Sequence, residues 1–325
     1  MFKVQIQTRQ AVLVFALSVL AMSAPAQTPF PTKAVRLIVA FPAGGPSDVL
    51  GRVVAQKLSE RWGHAVLVDN KPGASTVIGA MEAVRAPADG HTLFMPIDST
   101  LTMNPFLFSK LPYHPNKDFA HISLLATQSL VLLANEKTSA KSVKELVAEA
   151  KARPGAINYG SGTISTQLAG EMFNKATGVK LTVVPYKGSA DTLKGLLSGD
   201  IQTSFDGIAP NMPHIKSGKL RALATTGLER AAALPDVPTL HELGLRDFEV
   251  RVWLGLSAPA GTPAAIVQKI QADVQAVMAM PEVKEKLLPL GLEAIGSTTE
   301  QFEKTINTET ARFGPIIKEL GLKLD

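Results

Sequence analysis

Residues 35–62 read VRLIVAFPAGGPSDVLGRVVAQKLSERW and decide the fold. The apolar run 35–41 predicts a strand buried in a parallel sheet, and 42–46 supply two glycines and two prolines for a tight turn. Residues 47–62 then predict a helix. Its apolar stripe consists of Leu50, Val54, Leu58 and Trp62. A strand, a turn and a helix in immediate succession form the βα unit of α/β proteins.

The remainder of the chain repeats this alternation of short apolar runs and amphipathic stretches. Further strands are predicted at 65–69, 92–95, 130–134, 157–159, 180–184, 201–205 and 250–258. Further helices are predicted at 80–84, 143–152, 166–177, 191–197, 263–280, 281–288 and 299–320. The length of 325 residues is about twice that of a usual domain, so two α/β domains are expected.

Cysteine is absent, which excludes disulfides, thiolate metal sites and cysteine nucleophiles. The six histidines are isolated from one another and form no ligand pair, so neither a metal nor a cofactor is expected. The basic residues are scattered singly along the chain, without a run or an interleaved aromatic set. A nucleic-acid partner is therefore not expected.

The N-terminus has the three parts of a secretory signal peptide. Lys3 and Arg9 precede an apolar run at 11–22, and residues 24–26 (APA) supply the small residues of a cleavage site. A run of about a dozen residues is shorter than the roughly 20 that a spanning helix needs. We therefore predict a signal peptide at 1–26, cleavage after Ala26 and a periplasmic location. Its removal leaves 31 basic against 28 acidic residues, a mature net charge of +3.

Two loops between a strand and a helix are rich in glycine and small hydroxyl residues. Each puts the unpaired N–H groups of a helix start next to hydroxyl donors, a combination that suits an anion. The candidate binding residues are Phe41, Ala43, Gly44, Gly45, Ser47 and Asp48 in the first loop, and Ser161, Thr163, Ser165 and Thr166 in the second. Alternatively, these glycines only make turns and the hydroxyls only cap helices.

Other chemistries fit the second loop less well. Gly160-x-Gly162-x-x-Ser165 lacks the third glycine of a dinucleotide fingerprint, and 181–186 contain no acidic residue for a ribose. Asp206, placed just past the strand 201–205, could face a pocket or cap the following turn, and Lys187 has the same two alternatives. A hydrolase that uses Ser161 or Ser165 would lack an identifiable base.

Ten stretches, taken in order and spacing, closely resemble the Bug family, the solute receptors of tripartite tricarboxylate transporters. They are 41–45 (FPAGG), 68–73 (VDNKPG), 88–90 (ADG), 104–105 (NP), 110–113 (KLPY), 117–119 (KDF), 158–162 (NYGSG), 168–171 (LAGE), 184–188 (VPYKG) and 257–263 (SAPAGTP). The resemblance implies a two-domain Venus-flytrap fold whose chain crosses between the domains twice. Domain one would comprise 28–128 plus 253–325 and domain two 129–252, with a carboxylate in the cleft between them.

The sequence departs from the family pattern at three places. Pro46 stands where a further glycine is usual, so the first loop loses one N–H donor. Residues 74–77 (ASTV) replace a glycine-rich run, and Ile164-Ser165 with Gln167 replace a Gly-Ser pair and a histidine. If Val77 and Ile164 face the pocket, it would suit an aromatic or longer aliphatic acid.

These observations predict a monomeric, non-enzymatic periplasmic solute-binding protein. It would capture a small organic acid, with aromatic and dicarboxylic acids both open, and deliver it to a membrane permease. Asp206 would orient a water or a polar substituent of the ligand. One rival is a ligand-sensing subunit that reports carboxylate occupancy to a membrane partner, and the other is the serine-dependent hydrolase.

Overall fold

The computed structural model describes residues 30–324. The predicted signal peptide at 1–26 lies outside these described residues. Every helix and strand named below belongs to the compact unit Lys33–Asp325.

Residues 30–324 contain ten strands, most of them short. They are β1 (Val35–Val39), β2 (Val66–Asn70), β3 (Thr92–Met95), β4 (Phe119–Asn135), β5 (Asn158–Ser161), β6 (Thr182–Pro185), β7 (Thr203–Gly207), β8 (Leu220–Thr225), β9 (Arg251–Pro259) and β10 (Glu293–Ala294). β4, with 17 residues, is the longest, and β9 has nine.

Ten α-helices connect or follow these strands in the described part of the chain. They are α1 (Pro46–Trp62), α2 (Val77–Val84), α3 (Asn104–Leu107), α4 (Val143–Ala152), α5 (Ile164–Thr177), α6 (Ser189–Ser198), α7 (Ile208–Lys216), α8 (Ala264–Ala279), α9 (Pro281–Leu287) and α10 (Thr299–Glu319). A five-residue π-helix, Ser99–Met103, precedes α3.

The strands form one continuous sheet in the order β2-β1-β3-β9-β4-β7-β5-β6, and β8 and β10 also pair with β4. β1 is parallel to β2 and β3 at one end, and β5 is parallel to β6 and β7 at the other. The middle is antiparallel. There β4 pairs with β9 as far as Ser129 and with β7 and β8 from Leu130 onward.

β4 therefore belongs to two sheet regions, and the chain returns from the second to the first as it enters β9. The first region comprises β1, β2, β3, β9, β10 and the beginning of β4, and the second comprises the end of β4 with β5–β8. A chain that passes twice between two parallel βα regions confirms the predicted α/β class.

Local packing explains why the first βα unit folds as it does. Leu50, Val54 and Leu58 of α1 are fully buried, in agreement with the predicted stripe. Gly51 lies so close to β1 that an added Cβ would be 3.0 Å from Val39 Cγ2. The glycine allows the helix to cross close to the strand.

Several sequence predictions need correction. The strand expected at 130–134 is only the second half of β4, because 119–129 are also extended and pair with β9. The strand expected at 201–205 runs on to Gly207, so Asp206 lies within β7 and not past it. β8, α7 and the segment 99–107 were not predicted.

Candidate binding site

The first loop runs from β1 into α1 and ends in an unusual helix start. Gly44 has a φ of +88°, which favours glycine, and Gly45 is the N-cap in extended conformation with no side-chain cap. Pro46 occupies the first helical turn, where its missing N–H costs no intrahelical bond. The remaining N–H groups of this turn are therefore not used by a capping side chain.

Asp48 stabilises the conformation of this loop through three hydrogen bonds. Its Oδ2 accepts hydrogen bonds from Gly44 N and from Arg52 Nε, both at 2.9 Å, and its Oδ1 accepts one from Asn70 Nδ2 at 2.9 Å. The Arg52 guanidinium, assisted by the other two donors, lowers the pKa of Asp48 to about 2 although its side chain is almost fully covered. Asp48 is thus an ionised structural group whose oxygens are already occupied.

Ser47 differs from its neighbour because its hydroxyl makes no hydrogen bond to any other residue of 30–324. The side chain is half-buried at the start of α1, beside the uncapped helix end. A free hydroxyl beside free first-turn N–H groups is an anion-binding arrangement. Ser47 therefore remains the strongest ligand candidate of the first loop.

The second loop runs from β5 into α5 and has a complete capping box. Thr163 Oγ1 accepts from Thr166 N at 3.3 Å, and Thr166 Oγ1 accepts from Thr163 N at 3.1 Å. Ser161 Oγ donates to Thr163 O at 2.9 Å and lies 2.9 Å from Thr166 Oγ1. The hydroxyls of this loop therefore bind one another, in contrast to Ser47.

Gly162 in this loop is required by a close backbone approach. A Cβ at this position would lie 2.4 Å from the carbonyl carbon of Gly188, which precedes α6. This contact brings the α5 and α6 starts together. The glycine therefore has a packing role in addition to any role toward a ligand.

Ser165 makes the longest-range contact of the second loop. Its hydroxyl donates to Asp98 Oδ2 at 2.8 Å, and both side chains are buried. Asp98 follows β3 in the first sheet region, whereas Ser165 lies on α5 in the second. The bond therefore joins the two sheet regions.

Asp98 is completely buried, and its Oδ1 has no hydrogen-bond partner among residues 30–324. Burial raises the pKa of Asp98 to about 7, against the smaller opposing effect of the Ser165 hydroxyl. Glu309 of α10 behaves similarly. Burial raises its pKa to about 8, the Asp98 carboxyl adds to this shift, and Trp253 Nε1 donates to its Oε2 at 2.6 Å.

An apolar cluster and an ion pair reinforce the junction at Ser165. Leu168 of α5 packs with Met103, Leu107, Phe313 and Ile317, which belong to the first region. Lys175 Nζ, further along α5, lies 2.7 Å from Glu319 Oε2 of α10. In this structure the start of α5 is therefore packed against the first region.

The segment before α2 carries backbone strain that the sequence did not predict. Ala74, Ser75 and Thr76 have φ values of 45°, 49° and 77°, a left-handed conformation that costs about 1–3 kcal/mol for a residue other than glycine. Asn104 Nδ2 donates to Ser75 O at 2.9 Å, and Thr76 Oγ1 lies 2.8 Å from Thr100 Oγ1. These bonds hold the segment close to the π-helix that follows Asp98.

Asp206 and Lys187, the remaining candidates from the sequence, differ in burial. Asp206 is buried, and it accepts from Ser189 Oγ at 2.6 Å, from Asn211 Nδ2 at 3.2 Å and from Gly207 N at 2.8 Å. Burial raises its pKa, against these hydrogen bonds. Lys187 is exposed.

Val77 and Ile164 both pack against apolar clusters of the first region. Val77 borders the cluster around Phe94 and Trp253, and Ile164 borders the one around Leu107 and Phe313. These contacts account for their apolar character without a ligand. The conditional prediction that they line an apolar pocket gains no support from this packing.

Asp98 is the residue that sequence reasoning missed. A signal existed, because Asp98 follows the predicted strand at 92–95 and ligand-side residues of α/β sheets lie at the carboxyl ends of strands. Within residues 30–324 no three His, Cys, Asp or Glu side chains are arranged to hold a metal ion. Nor does this part of the chain contain a helix long and apolar enough to span a bilayer.

The two sheet regions, joined by two chain passages and each carrying a strand–helix loop, define a two-domain solute-binding protein. Residues 50–322 match the tripartite tricarboxylate transporter family receptor, TctC. The chain belongs to this family, which confirms both the resemblance to Bug receptors and the predicted two-domain periplasmic-binding-protein fold.

Individual relatives agree with this assignment. Protein BugT of Bordetella pertussis is 33% identical over 298 residues, which cover 91% of each chain. The structure of R. palustris Rpa4515 with adipate has a TM-score of 0.81 at 32% identity, and covers 90% of this chain and 98% of that one. MatC from Rhodopseudomonas palustris with bound malate has a TM-score of 0.76 at 29% identity, with 89% and 100% covered.

Proposed function

We propose that this chain captures a small organic acid between its two sheet regions and delivers it to the permease of a tripartite transporter. The domains would comprise 28–128 plus 253–325 and 129–252. The observation that carries the proposal is the start of α1, an uncapped helix end. There the Ser47 hydroxyl and the N–H groups of Ser47 and Asp48 have no hydrogen-bond acceptor within residues 30–324. The sheet pairing of β4, which changes between Ser129 and Leu130, favours the domain boundary.

The chemistry of the ligand follows from these donors. A helix start and a hydroxyl stabilise a carboxylate without neutralising it, which permits release. The relatives noted above carry adipate and malate, both dicarboxylates. We propose a dicarboxylate for this chain, with one carboxylate at Ser47 and the other toward the start of α5.

The second loop would contribute differently from the first. The hydroxyls of Ser161, Ser165 and Thr166 already have partners within the protein, so closure rather than direct hydrogen bonding would be their main role. Asp206, with three donors around it, would act as a support for the α6 and α7 starts. Thr163 is exposed, but its hydroxyl also has a partner, because its Oγ1 accepts from Thr166 N in the capping box.

A solute-binding role without catalysis suits these contacts better than serine hydrolysis. The Ser165 hydroxyl donates to a buried carboxyl and the Ser161 hydroxyl to a carbonyl, so neither serine faces a histidine base among the described residues. A nucleophilic serine needs such a base within hydrogen-bond reach.

A melting-temperature panel tests the proposal. Adipate, malate, succinate and benzoate are each added to the purified protein, with NAD as the negative control. A ligand at 100 times its dissociation constant adds about 2.7 kcal/mol of stability, so at least one acid should raise the melting temperature by several degrees. A shift with NAD and none with any acid would contradict the proposal.

Export is tested separately. When the chain is expressed with its N-terminus in a Gram-negative host, we expect the periplasmic protein to begin at Gln27. Intact mass spectrometry measures this directly. An unprocessed protein retained in the cytoplasm would refute the predicted cleavage after Ala26.

A further inference from the structure

A cavity of about 650 Å³ lies in the second sheet region, at the end of α5 opposite to the second loop. Thr177, the last residue of α5, lines this cavity, whereas the second loop precedes the first turn of the helix. The two ends of this 14-residue helix are about 20 Å apart. The cavity is therefore separate from the second loop, and its volume is within the range of roughly 300–1,000 Å³ that small-molecule sites have.

Most of the cavity wall is apolar and belongs to the edge of the core of the second region. The apolar side chains come from the start of α4, from β8 and from the segment 238–245, and they are Val143, Val147, Ala222, Leu223, Pro238, Leu243 and Leu245. Val143 and Leu223 belong to the buried core cluster, but Leu243 is 47% exposed. An aliphatic chain placed against Leu243 would therefore cover apolar surface that now faces water.

Among the described residues that line the cavity, two are charged, and both are cations. Lys141 and Lys144 are exposed, and neither makes an ion pair within residues 30–324. The two hydroxyls of the lining already have partners. Ser142 Oγ accepts from a backbone N–H as the cap of α4, and Thr177 Oγ1 donates to a backbone carbonyl. The two ammonium groups are therefore the polar side-chain groups of this cavity that remain open to a ligand.

The start of α4 adds to this positive charge. Lys144 lies in the first turn, at the positive end of the helix dipole, where an anion is favoured and a cation is not. Glu145 belongs to the same turn, and its carboxylate accepts from Lys141 N, but it lines a different recess together with Glu149 and Arg153. No carboxylate of residues 30–324 lines the cavity itself. A bound anion would therefore offset two cations and a helix end.

We propose that this cavity is a second binding site and that it takes an amphipathic anion, namely an aliphatic chain that ends in a single carboxylate. The chain would pack against Val147, Leu243 and Leu245, and the carboxylate would pair with the Lys141 and Lys144 ammonium groups. A dicarboxylate would place its second charge against the apolar wall, where it loses hydration without a partner. The cavity thus selects a different acid from the two loops, and the inference does not depend on the proposed function.

Isothermal titration calorimetry with sodium octanoate tests the site, at an ionic strength held constant with sodium chloride. We expect saturable binding of octanoate at one site per chain. Sodium acetate has the carboxylate without the chain, and 1-octanol has the chain without the carboxylate, so each should bind at least fivefold more weakly. Absence of saturable octanoate binding, or equally tight binding of acetate or octanol, would overturn the proposal.

A matched pair of leucine variants tests the apolar wall. Leu243→Asp puts a negative charge beside the cavity and should weaken octanoate binding at least tenfold. Leu288→Asp is the control, because Leu288, just after α9, is 48% exposed and does not line the cavity. It should leave the affinity unchanged. Equal effects of the two substitutions would show that octanoate does not occupy this cavity.

A matched pair of double variants tests the charged rim. Lys141→Gln combined with Lys144→Gln should weaken octanoate binding at least fivefold. Lys284→Gln combined with Lys286→Gln removes the same charge from exposed positions of α9 and should have no effect. If both double variants weaken binding equally, only the net charge of the protein matters and the assignment is wrong.

Ser47→Ala separates this cavity from the first loop. The variant should bind octanoate as tightly as the wild type, even where its binding of small dicarboxylates is weakened. A loss of octanoate affinity in Ser47→Ala would place octanoate at the first loop and overturn the proposal. The leucine and lysine positions chosen above are exposed, so these variants are expected to fold.

Discussion

The two strand–helix loops depend on two aspartates in opposite states. Asp48 behind the first loop is ionised, with three donors and a pKa of about 2, whereas Asp98 against the second loop is fully buried with a pKa of about 7. In the first loop the Ser47 hydroxyl has no hydrogen-bond partner within residues 30–324, whereas the hydroxyls of the second loop hydrogen-bond within the protein. We infer that the first loop is built to receive a ligand and the second to join the two sheet regions.

The difference shows how surroundings set the role of one residue type. Asp48 has Arg52 beside it, so its charged form is favoured despite little exposure. Asp98 has a single hydroxyl donor from a side chain and no cation, so burial favours its neutral form. An aspartate carboxyl therefore stabilises a loop at position 48 and, in its neutral form at position 98, a contact between the two sheet regions.

We expect the largest loss of stability and of carboxylate binding when Asp48 is replaced. Asp48→Ala leaves Gly44 N, Arg52 and Asn70 without their acceptor, and hydrogen bonds to a charged group contribute about 1.5–3 kcal/mol each. We expect urea denaturation to show a loss of about 3 kcal/mol and calorimetry to show no carboxylate binding. Asp191→Ala, at a partly exposed residue paired with Lys194, should stay within about 0.5 kcal/mol. Equal effects would refute the structural role of Asp48.

Because of Asp98, we expect the free energy of unfolding to depend on pH. The folded protein keeps Asp98 protonated up to about pH 7, while the unfolded chain releases this proton near pH 4. The unfolded state therefore binds fewer protons between pH 4 and 7, and the contribution of Asp98 to stability falls as the pH rises, by up to about 1.4 kcal/mol per pH unit.

Asp98→Asn tests this contribution, since asparagine can still accept from Ser165 and does not titrate. The free energy of unfolding of the wild type should decline more steeply from pH 4.5 to 7 than that of the variant. Glu309, whose pKa is also raised, contributes to both curves. Parallel curves would show that Asp98 is ionised in the folded protein. Asp48 has the opposite sign, because its contribution is lost as the pH falls from 4 toward 2.

Two serine variants separate binding from closure. Ser47→Ala should weaken carboxylate binding about tenfold, or ~1.4 kcal/mol, and leave the melting temperature of the empty protein unchanged, since the hydroxyl has no partner within residues 30–324. Ser165→Ala should lower that melting temperature as well, because it leaves buried Asp98 without its donor. Ser217→Ala, on the exposed end of α7, is the control. If Ser47→Ala and Ser165→Ala behave alike, the contrast between the loops is wrong.

We expect the smallest changes in stability and in ligand affinity when Pro46 is replaced. Pro46→Gly restores an N–H to the first turn and increases the freedom of the unfolded chain, which costs about 0.4–1 kcal/mol of stability. We expect a slightly lower melting temperature, together with better binding of compact, highly polar acids relative to the native ligand. Calorimetry with malate and adipate measures that ratio. A change of less than about twofold would mean that the missing donor at Pro46 has no influence on selectivity.

The βα units can be predicted from the sequence, but the contacts that join the two sheet regions cannot. Apolar runs such as 35–41 and the stripe of α1 are local patterns, so β1, α1 and the first loop could be predicted. Asp98 and Ser165 are 67 positions apart, and neither burial nor pairing at that distance leaves a local pattern. The roles of Ser161, Ser165 and Thr166 as internal partners were hidden for the same reason.

The extent of β4 was underestimated because its first half interrupts the apolar pattern. His121, Ser123 and Thr127 are polar yet buried, since they lie in the interior against β9 and the segments beside it. The π-helix Ser99–Met103 is likewise fully buried with three hydroxyl side chains. Tertiary contacts, which periodicity does not report, define both elements.

Small-angle X-ray scattering tests the central claim most directly, namely that the loops of two domains close on one carboxylate. The purified protein is measured alone and with a saturating concentration of the acid that gives the largest melting shift. We expect a smaller radius of gyration with ligand. A bound acid with an unchanged radius of gyration would contradict capture between the two sheet regions and place the site within one of them.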